Sequence, residues 1–519
     1  MGTLKRSIPY GVVFITSMGI MIIELVASRI VSKFFGNSLY TWTGVIGIVL
    51  GGISLGNYLG GRLADRFSPT RIISLLLLVT SFFILIILFL DSILDRIMSE
   101  SEFSIVTSSM VIRSVVNIFV LFFLPSTALG TISPVMAKYA LEESERVGNT
   151  VGSIYATASI GSIVGTFLSG FVLIPLLGIK TIVFVIGITI VLLSLIVRGR
   201  RIISVVWLCV VALLYLFFYS GIFKIEQARM RQKAEKILFS KDSKYAYIEV
   251  RDRLRSGKEE RILFMDGLVH NLYDPENPDN LLYGYEKLFS AFTRYFSDAM
   301  KKGEPITTLT LGGGAFVFPA YLERHYQESI NEVAELDPEV VEVAHRYFDF
   351  PRDSAIRVYT CDARSYVYSI RDRKKYDLVF LDAFNSFSVP AHLTTREFTE
   401  LVMGILNNPG YFVVNCVDVF EIGKFLNAYL NTVADVFPYY YVYSVSGVVS
   451  SMRDTFVIIA GNREIGIEAL VDPESQRVFH RIDPGGLGDL AARNGDFILT
   501  DDHAPVENLM APVFLNSVE

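Results

Sequence analysis

The sequence predicts an α-helical transmembrane bundle of about seven spans, followed by an α/β domain. That domain is expected to hold a mostly parallel, seven-stranded sheet with a small β-subdomain at its start. Three observations predict this. Apolar residues crowd the first 223 of 519 positions and lift mean hydropathy to +0.44, too high for an ordinary soluble protein. Beyond residue 300, short apolar runs alternate with helical patterns, as in sheets covered by helices on both faces. Finally, the strand-like Leu309-Thr310-Leu311 runs into Gly312-Gly313-Gly314, and Val333-Ala334-Glu335-Leu336-Asp337 follows about twenty residues later. Glycines let a backbone approach a ligand closely, and a carboxylate ending the next strand can take ribose hydroxyls, so the pair points to an adenosine-type group.

The expected spans run over 9–30, 39–61, 71–90, 107–130, 151–175, 179–197 and 202–223, each near the length that crosses hydrocarbon. The first is too long for a removable signal peptide and lacks a small-residue cleavage site. Gly44, Gly47, Gly51, Gly52, Gly56, Gly60 and Gly61 crowd the second span, and Gly152, Gly161, Gly165 and Gly170 the fifth. Small residues let helix backbones touch where no hydrophobic force draws them together. Glu24 is costly at membrane depth, which calls for a partner such as Arg113 or Asn117, or for a polar cavity. Pro125 and Pro134 flank a polar run that suggests a broken or re-entrant stretch.

Charge bias places Lys5 and Arg6, the Arg62/Arg66/Arg71 loop and the Arg198/Arg200/Arg201 loop in the cytoplasm. Seven spans would then put the carboxy-terminal half outside, where a nucleoside donor is scarce. The expectation is therefore a span miscounted near 107–140, and a multi-pass membrane protein with a cytosolic enzyme domain.

Lys224, Glu226, Arg229, Arg231, Lys233, Glu235 and Lys236 read as a charged helical connector. Strands are expected at 245–250 and 261–266, then at 307–311, 330–335, 355–360, 376–382, 410–416, 437–443 and 455–460. Helical patterns lie at 338–348 and 395–407. Domain limits follow as 1–223, 224–300 and 301–519. Ligands of such sheets bind beyond the carboxyl ends of the strands, which selects Gly312–Gly314, Glu335, Asp362-Ala363 and Asp382. Singly, Asp362 or Asp382 could cap the next helix and Glu335 could be solvated. Four such strand ends in consecutive units argue for one shared nucleoside site.

The net charge of −6 offers no basic footprint for nucleic acid. Cys209, Cys361 and Cys416 have neither zinc-site nor disulfide spacing, so no metal is expected.

These motifs resemble the spermidine synthase family, aminopropyltransferases on a seven-stranded methyltransferase-type sheet, and above all its members fused to a major-facilitator-like membrane segment. In the membrane part the resemblance rests on Glu24 to Arg29, Phe35-Gly36-Asn37-Ser38, Gly60 to Arg66 and Ile154-Tyr155-Ala156. In the soluble part it rests on Met265-Asp266-Gly267, the glycine triplet, Glu335-Leu336-Asp337, Asp362, Asp382-Ala383-Phe384 with Val389 to Leu393, and Leu499 to Glu507.

The resemblance implies that Gly312, Gly313 and Gly314 lie against the nucleoside and its sulfonium chain, with Glu335 on the ribose in the Glu335-Leu336-Asp337 motif. Asp362, next to Ala363, would meet the adenine amino group, and Asp382 would orient and deprotonate an attacking amine. The co-substrate implied is S-adenosylmethionine or its decarboxylated form, with no tightly bound cofactor. The partners implied are that sulfonium donor, an amine acceptor and the bilayer, and the resemblance leaves room for a homo-oligomer.

The chain departs from the family at Ala315 and Asn385, where aspartates are usual, at Tyr245-Ala246 in place of Tyr-Gln, and at His270 in place of glutamine. These changes thin the acidic lining and make the intact donor more plausible. Three readings follow: transfer from either donor to an amine, other chemistry at the same sulfonium (methyl transfer, or intramolecular elimination or lactonisation), and a transporter or sensor that binds the nucleoside without turnover.

Overall fold

The computed structural model describes residues 2–35, 39–99, 110–197, 202–210, 235–255, 257–383, 389–447 and 452–516. The chain divides into two compact units, Met1–Gln232 with Lys241–Ala246, and Lys233–Ser240 with Tyr247–Glu519.

Among the described residues, six helices of the first unit are long and apolar enough to cross a membrane: Arg6–Ser32, Thr41–Arg66, Pro69–Ile93, Ser114–Glu142, Val147–Leu177 and Ile179–Ile196. Of the seventh expected span, residues 202–210 are helical, and 211–223 lie outside the described residues, as do Arg198, Arg200 and Arg201. The segment expected to hide a miscount holds one candidate span of 29 residues, Ser114–Glu142, interrupted by a π-helical turn at Phe119–Phe123 and by a turn at Thr131 between the helices Leu124–Gly130 and Ile132–Glu142. A π-helical turn at Phe119–Phe123 precedes Pro125, and another at Ser169–Leu173 precedes Pro175. A proline ring clashes with the carbonyl four residues back, and a widened turn makes room for it without ending the helix. The Arg113 side chain lies outside the described residues, so its pairing with Glu24 stays an expectation.

The glycine spacing is explained by backbone contact. A methyl group on Gly52 would stand 2.8 Å from the Phe123 carbonyl oxygen, and one on Gly56 or Gly60 would overlap the carbonyl oxygen of Thr127 or Thr131. Gly161 and Gly165 meet the Phe14 and Met18 carbonyls in the same way. Gly47, Gly51, Gly61, Gly152 and Gly170 face open space among the described residues.

The second unit begins with a four-stranded sheet in the order β1-β2-β3-β4: β1 (Glu235–Asp242), β2 (Tyr247–Arg255), β3 (Lys258–Met265) and β4 (Leu268–Tyr273). Glu235 and Lys236 therefore open a strand and do not belong to a helical connector. Leu238 and Phe239 pack against the apolar core, and that burial outweighs the charges before them. Residues 224–234 lie outside the described residues.

The main sheet comprises β5 (Thr307–Leu311), β6 (Ile330–Glu335), β7 (Arg357–Thr360), β8 (Tyr376–Leu381), β9 (Leu406–Val419), β10 (Tyr439–Ser444) and β11 (Arg453–Gly461). Their order is β10-β11-β9-β8-β5-β6-β7. The sheet is mixed: β9-β8-β5-β6-β7 run parallel, and β11 lies antiparallel between β9 and β10. All of β8 is buried, as a strand covered on both faces should be. Val379 and Leu381 join one apolar cluster, and Leu378 and Phe380 the other. The strand order reverses between β5 and β8, and such a switch point opens a crevice at the carboxyl ends.

Candidate active site

Register aligns the crevice. Leu311 pairs with Ala334 on one side and Leu381 on the other, so Gly312, Glu335 and Asp382, each the next residue, stand in one row. The Asp382 N–H donates to the Leu311 carbonyl at 2.9 Å. Gly312, at φ +94°, turns so tightly that a methyl group there would overlap the Asp382 carbonyl oxygen. A methyl group on Gly313 would meet the Phe316 ring at 2.5 Å. The loop shape thus requires these glycines.

Glu335 is 8% exposed, so it is not a solvated residue. Its Oε2 accepts from the Gly313 N–H at 2.7 Å and its Oε1 from the Asp337 N–H at 2.9 Å. Burial raises its pKa, and these backbone bonds oppose the rise. A carboxylate has about four lone-pair sites, so each oxygen keeps capacity for a further donor. Asp337 caps the helix Pro338–Tyr347 by accepting from Glu339 N–H at 3.0 Å.

Asp362 caps the helix Ala363–Ile370 through the Ser365 N–H at 2.8 Å and meets His392 Nε2 at 2.9 Å. Burial pushes its pKa up, but the Ser365 and His392 bonds prevail and hold it below the usual range. The neighbouring Ala363 is buried. Ala315 is fully buried in the apolar cluster that includes Phe289 and Phe318. Phe384 and Asn385 lie outside the described residues.

Asp382 does not cap a helix among the described residues. Its Oδ2 accepts from the Tyr285 hydroxyl at 3.0 Å and its Oδ1 from the Asn415 amide at 2.7 Å. Burial lifts its pKa to about 7 against those two hydrogen bonds, and the Glu335 charge adds to the rise. A carboxylate near 7 can take a proton at neutral pH and return it.

Sequence reasoning missed the wall facing Asp382. It comes from Tyr285 and Glu286 in the helix Gly284–Tyr295, Asn271 on β4 and Asn415 on β9. Glu286 is fully buried, and burial with the Asp382 charge lifts its pKa to about 8, against the Asn271 and Tyr283 hydrogen bonds. Its Oε1 accepts from the Asn271 amide at 2.9 Å. The available signal was Glu286 on the same helical stripe as Phe289, Ser290 and Thr293, all buried, because a charge on a buried face is rare without a use.

Residues 297–464 match the model of the spermine/spermidine synthase domain. Over 145 residues the chain is 37% identical to a polyamine aminopropyltransferase of Vibrio vulnificus, covering 28% of this chain and 47% of that protein. Over 293 residues it is 26% identical to a polyamine aminopropyltransferase of Corynebacterium efficiens, covering 53% of each. An eEF1A lysine and N-terminal methyltransferase of Mus musculus matches at 26% over 158 residues, 28% of this chain and 22% of that one. The crystal structure of a probable spermidine synthase from Corynebacterium glutamicum superimposes with a TM-score of 0.43 at 20% identity, covering 51% of this chain and 96% of that chain. The chain spans about half the length, or less, of the curated relatives named here. Over residues 297–464 the chain is thus similar to the spermine/spermidine synthase domain, and part of it to the polyamine aminopropyltransferases.

Proposed function

We propose that this chain is a multi-pass membrane enzyme that transfers an aminopropyl-type group from S-adenosylmethionine, or its decarboxylated form, to an amine. The observation that carries this reading is Asp382 at the switch point, lifted to about 7 and aimed by Tyr285 and Asn415. The donor's adenosine lies over Gly312, Gly313 and Gly314, with its ribose hydroxyls on Glu335 and its adenine amino group on Asp362 beside Ala363. Asp337 holds the helix that follows Glu335 and so supports the ribose clamp.

The acceptor amine gives up a proton to the Asp382 carboxylate, and its lone pair attacks the carbon bonded to sulfur. The carbon–sulfur electron pair returns to sulfur, leaving neutral methylthioadenosine, which needs no acid to depart. Holding nucleophile, carbon and sulfur in line supplies much of the rate.

The division of labour follows the sequence: residues 1–223 anchor the chain in the cell membrane, 224–300 connect and add the small β-subdomain, and 301–519 carry the chemistry on the cytosolic side. Full-length protein in detergent, given each donor with and without polyamines, tests the reading by mass spectrometry of products. Amine-dependent release of methylthioadenosine supports it. Release without an acceptor would move the assignment to intramolecular cleavage, and a methylated product to methyl transfer.

A further inference from the structure

The wall facing Asp382 carries two unsatisfied buried acceptors side by side. Glu286 and Asn271 are 0% and 2% exposed, and the Asn271 amide donates to Glu286 Oε1. Glu286 Oε2 and Asn271 Oδ1 have no hydrogen-bond partner among the described residues. Orphaned buried polar atoms are uncommon in folded proteins, because each loses its hydration without replacement.

Their place is informative. Asn271 Nδ2 stands 3.7 Å from where a methyl group on Gly314 would lie, so the pair flanks the glycine loop. Glu286 follows Tyr285, whose hydroxyl donates to Asp382. Asn271 thus stands beside the loop, and Glu286 lies within reach of the Asp382 charge.

Charge points the same way. The Asp382 charge acts on Glu286 and the Glu335 charge on Asp382, and none of the three pairs with a lysine or arginine among the described residues. Two buried carboxylates and the half-buried Asp382, with no cation beside them among the described residues, form a site that a positively charged ligand completes. Two neighbouring acceptors, one of them a carboxylate, suit a donor with several hydrogens and a full charge, which is a primary ammonium.

We propose that Glu286 and Asn271 bind the ammonium group of the sulfonium donor, making them specificity-determining residues for a donor with an amine on its transferable chain. The assignment rests on the nucleoside-sulfonium reading above. Two cationic centres of the donor then meet separate acidic groups, the sulfonium near Asp382 and the ammonium at Glu286. Asp382 stays available for the acceptor amine.

Titration calorimetry on the full-length protein tests this with three ligands: methylthioadenosine, decarboxylated S-adenosylmethionine, and the same sulfonium with a plain propyl chain. The amine should tighten wild-type binding over the propyl analogue by about 10- to 100-fold, the scale of a charge-assisted hydrogen bond. Glu286→Gln should erase that difference and leave methylthioadenosine affinity unchanged. Asn271→Leu, which keeps the Glu286 carboxylate, should reduce the difference. A wild type that binds amine and propyl analogues equally overturns the assignment without need of any variant. So does a folded Glu286→Gln protein that keeps the full preference. Failure of the wild type to bind methylthioadenosine would overturn the nucleoside reading itself, and this assignment with it.

Discussion

Arg364 holds Asp501 with a pair of N–H···O bonds, Nη1 to Oδ1 at 2.6 Å and Nη2 to Oδ2 at 2.5 Å. Thr395 donates a third bond to the same carboxylate at 2.8 Å. Arg364 lies two residues beyond Asp362, so the late Thr500-Asp501-Asp502-His503 segment braces the strand end expected to meet adenine. A carboxylate engaged in this way has its pKa lowered, chiefly by the Arg364 hydrogen bond, which makes Asp501 a weaker base than Asp382.

Asp501→Ala should therefore weaken methylthioadenosine binding modestly and leave the chemical step intact. The pair is partly exposed, with side chains 22% and 43% accessible, and such pairs contribute at most about 1 kcal/mol, or roughly 2- to 5-fold in affinity. Calorimetry and single-turnover rates on one preparation check it. A collapse of the single-turnover rate with unchanged affinity would make Asp501 part of the chemistry.

Glu335→Gln should cost about 1–3 kcal/mol of nucleoside affinity through loss of charge-assisted bonds. The glutamine would also turn an N–H₂ group toward either Gly313 N–H or Asp337 N–H, both of which need an acceptor. Loop distortion should therefore add to the loss, and Glu335→Asp, too short to reach both, should not rescue it. Affinity for methylthioadenosine unchanged in a folded Glu335→Gln protein would remove Glu335 from the site.

The row of Gly312, Glu335 and Asp382 was legible because each ends a short apolar strand, and in-register parallel pairing leaves the next residue of each strand at the same level. The facing wall was not legible. Tyr285 and Glu286 precede the first strand of the main sheet by more than twenty residues, and no local pattern announces that their helix packs beside β8. Strand β1 was misread because a run of charges in Lys233–Lys236 resembles a solvated helix face, whereas pairing with β2 is a tertiary choice. The glycines of the second span were legible as packing residues, but the positions that touch a neighbour were not. Gly52, Gly56 and Gly60 do, while Gly47, Gly51 and Gly61 do not.

That last distinction makes a prediction. Gly56→Leu should destabilise the helical unit by about 1–3 kcal/mol or more, as overpacking does, because the side chain would enter the Thr127 carbonyl. Gly47→Leu, with open space around it, should be tolerated. Thermal unfolding in detergent compares the two. Equal stability would mean that this helix contact does not hold in solution.

Asp382 gives the most demanding prediction, because its protonation bears on both rate and stability. Its folded pKa of about 7 lies above its ordinary value of 3.8. The unliganded protein therefore gains stability from this group below pH 3.8, and loses that contribution as pH rises through about 7. Catalysis runs the other way, since only the carboxylate can accept a proton, so kcat/KM should climb with pH and level off above about 7. Asp382→Asn keeps the size and one acceptor oxygen but removes the base. Turnover should fall by at least about 100-fold, the usual scale for such a loss, while methylthioadenosine affinity changes little. The same variant should lose part of the wild type's fall in stability between pH 5 and 8, because its amide does not ionise. Tyr285→Phe and Asn415→Leu each remove a bond that lowers the pKa, so each should move the rate profile to higher pH by about one unit, the worth of one hydrogen bond to a charge. A profile that stays fixed in both variants, or full turnover in Asp382→Asn, would show that this carboxylate shapes the crevice without taking the proton.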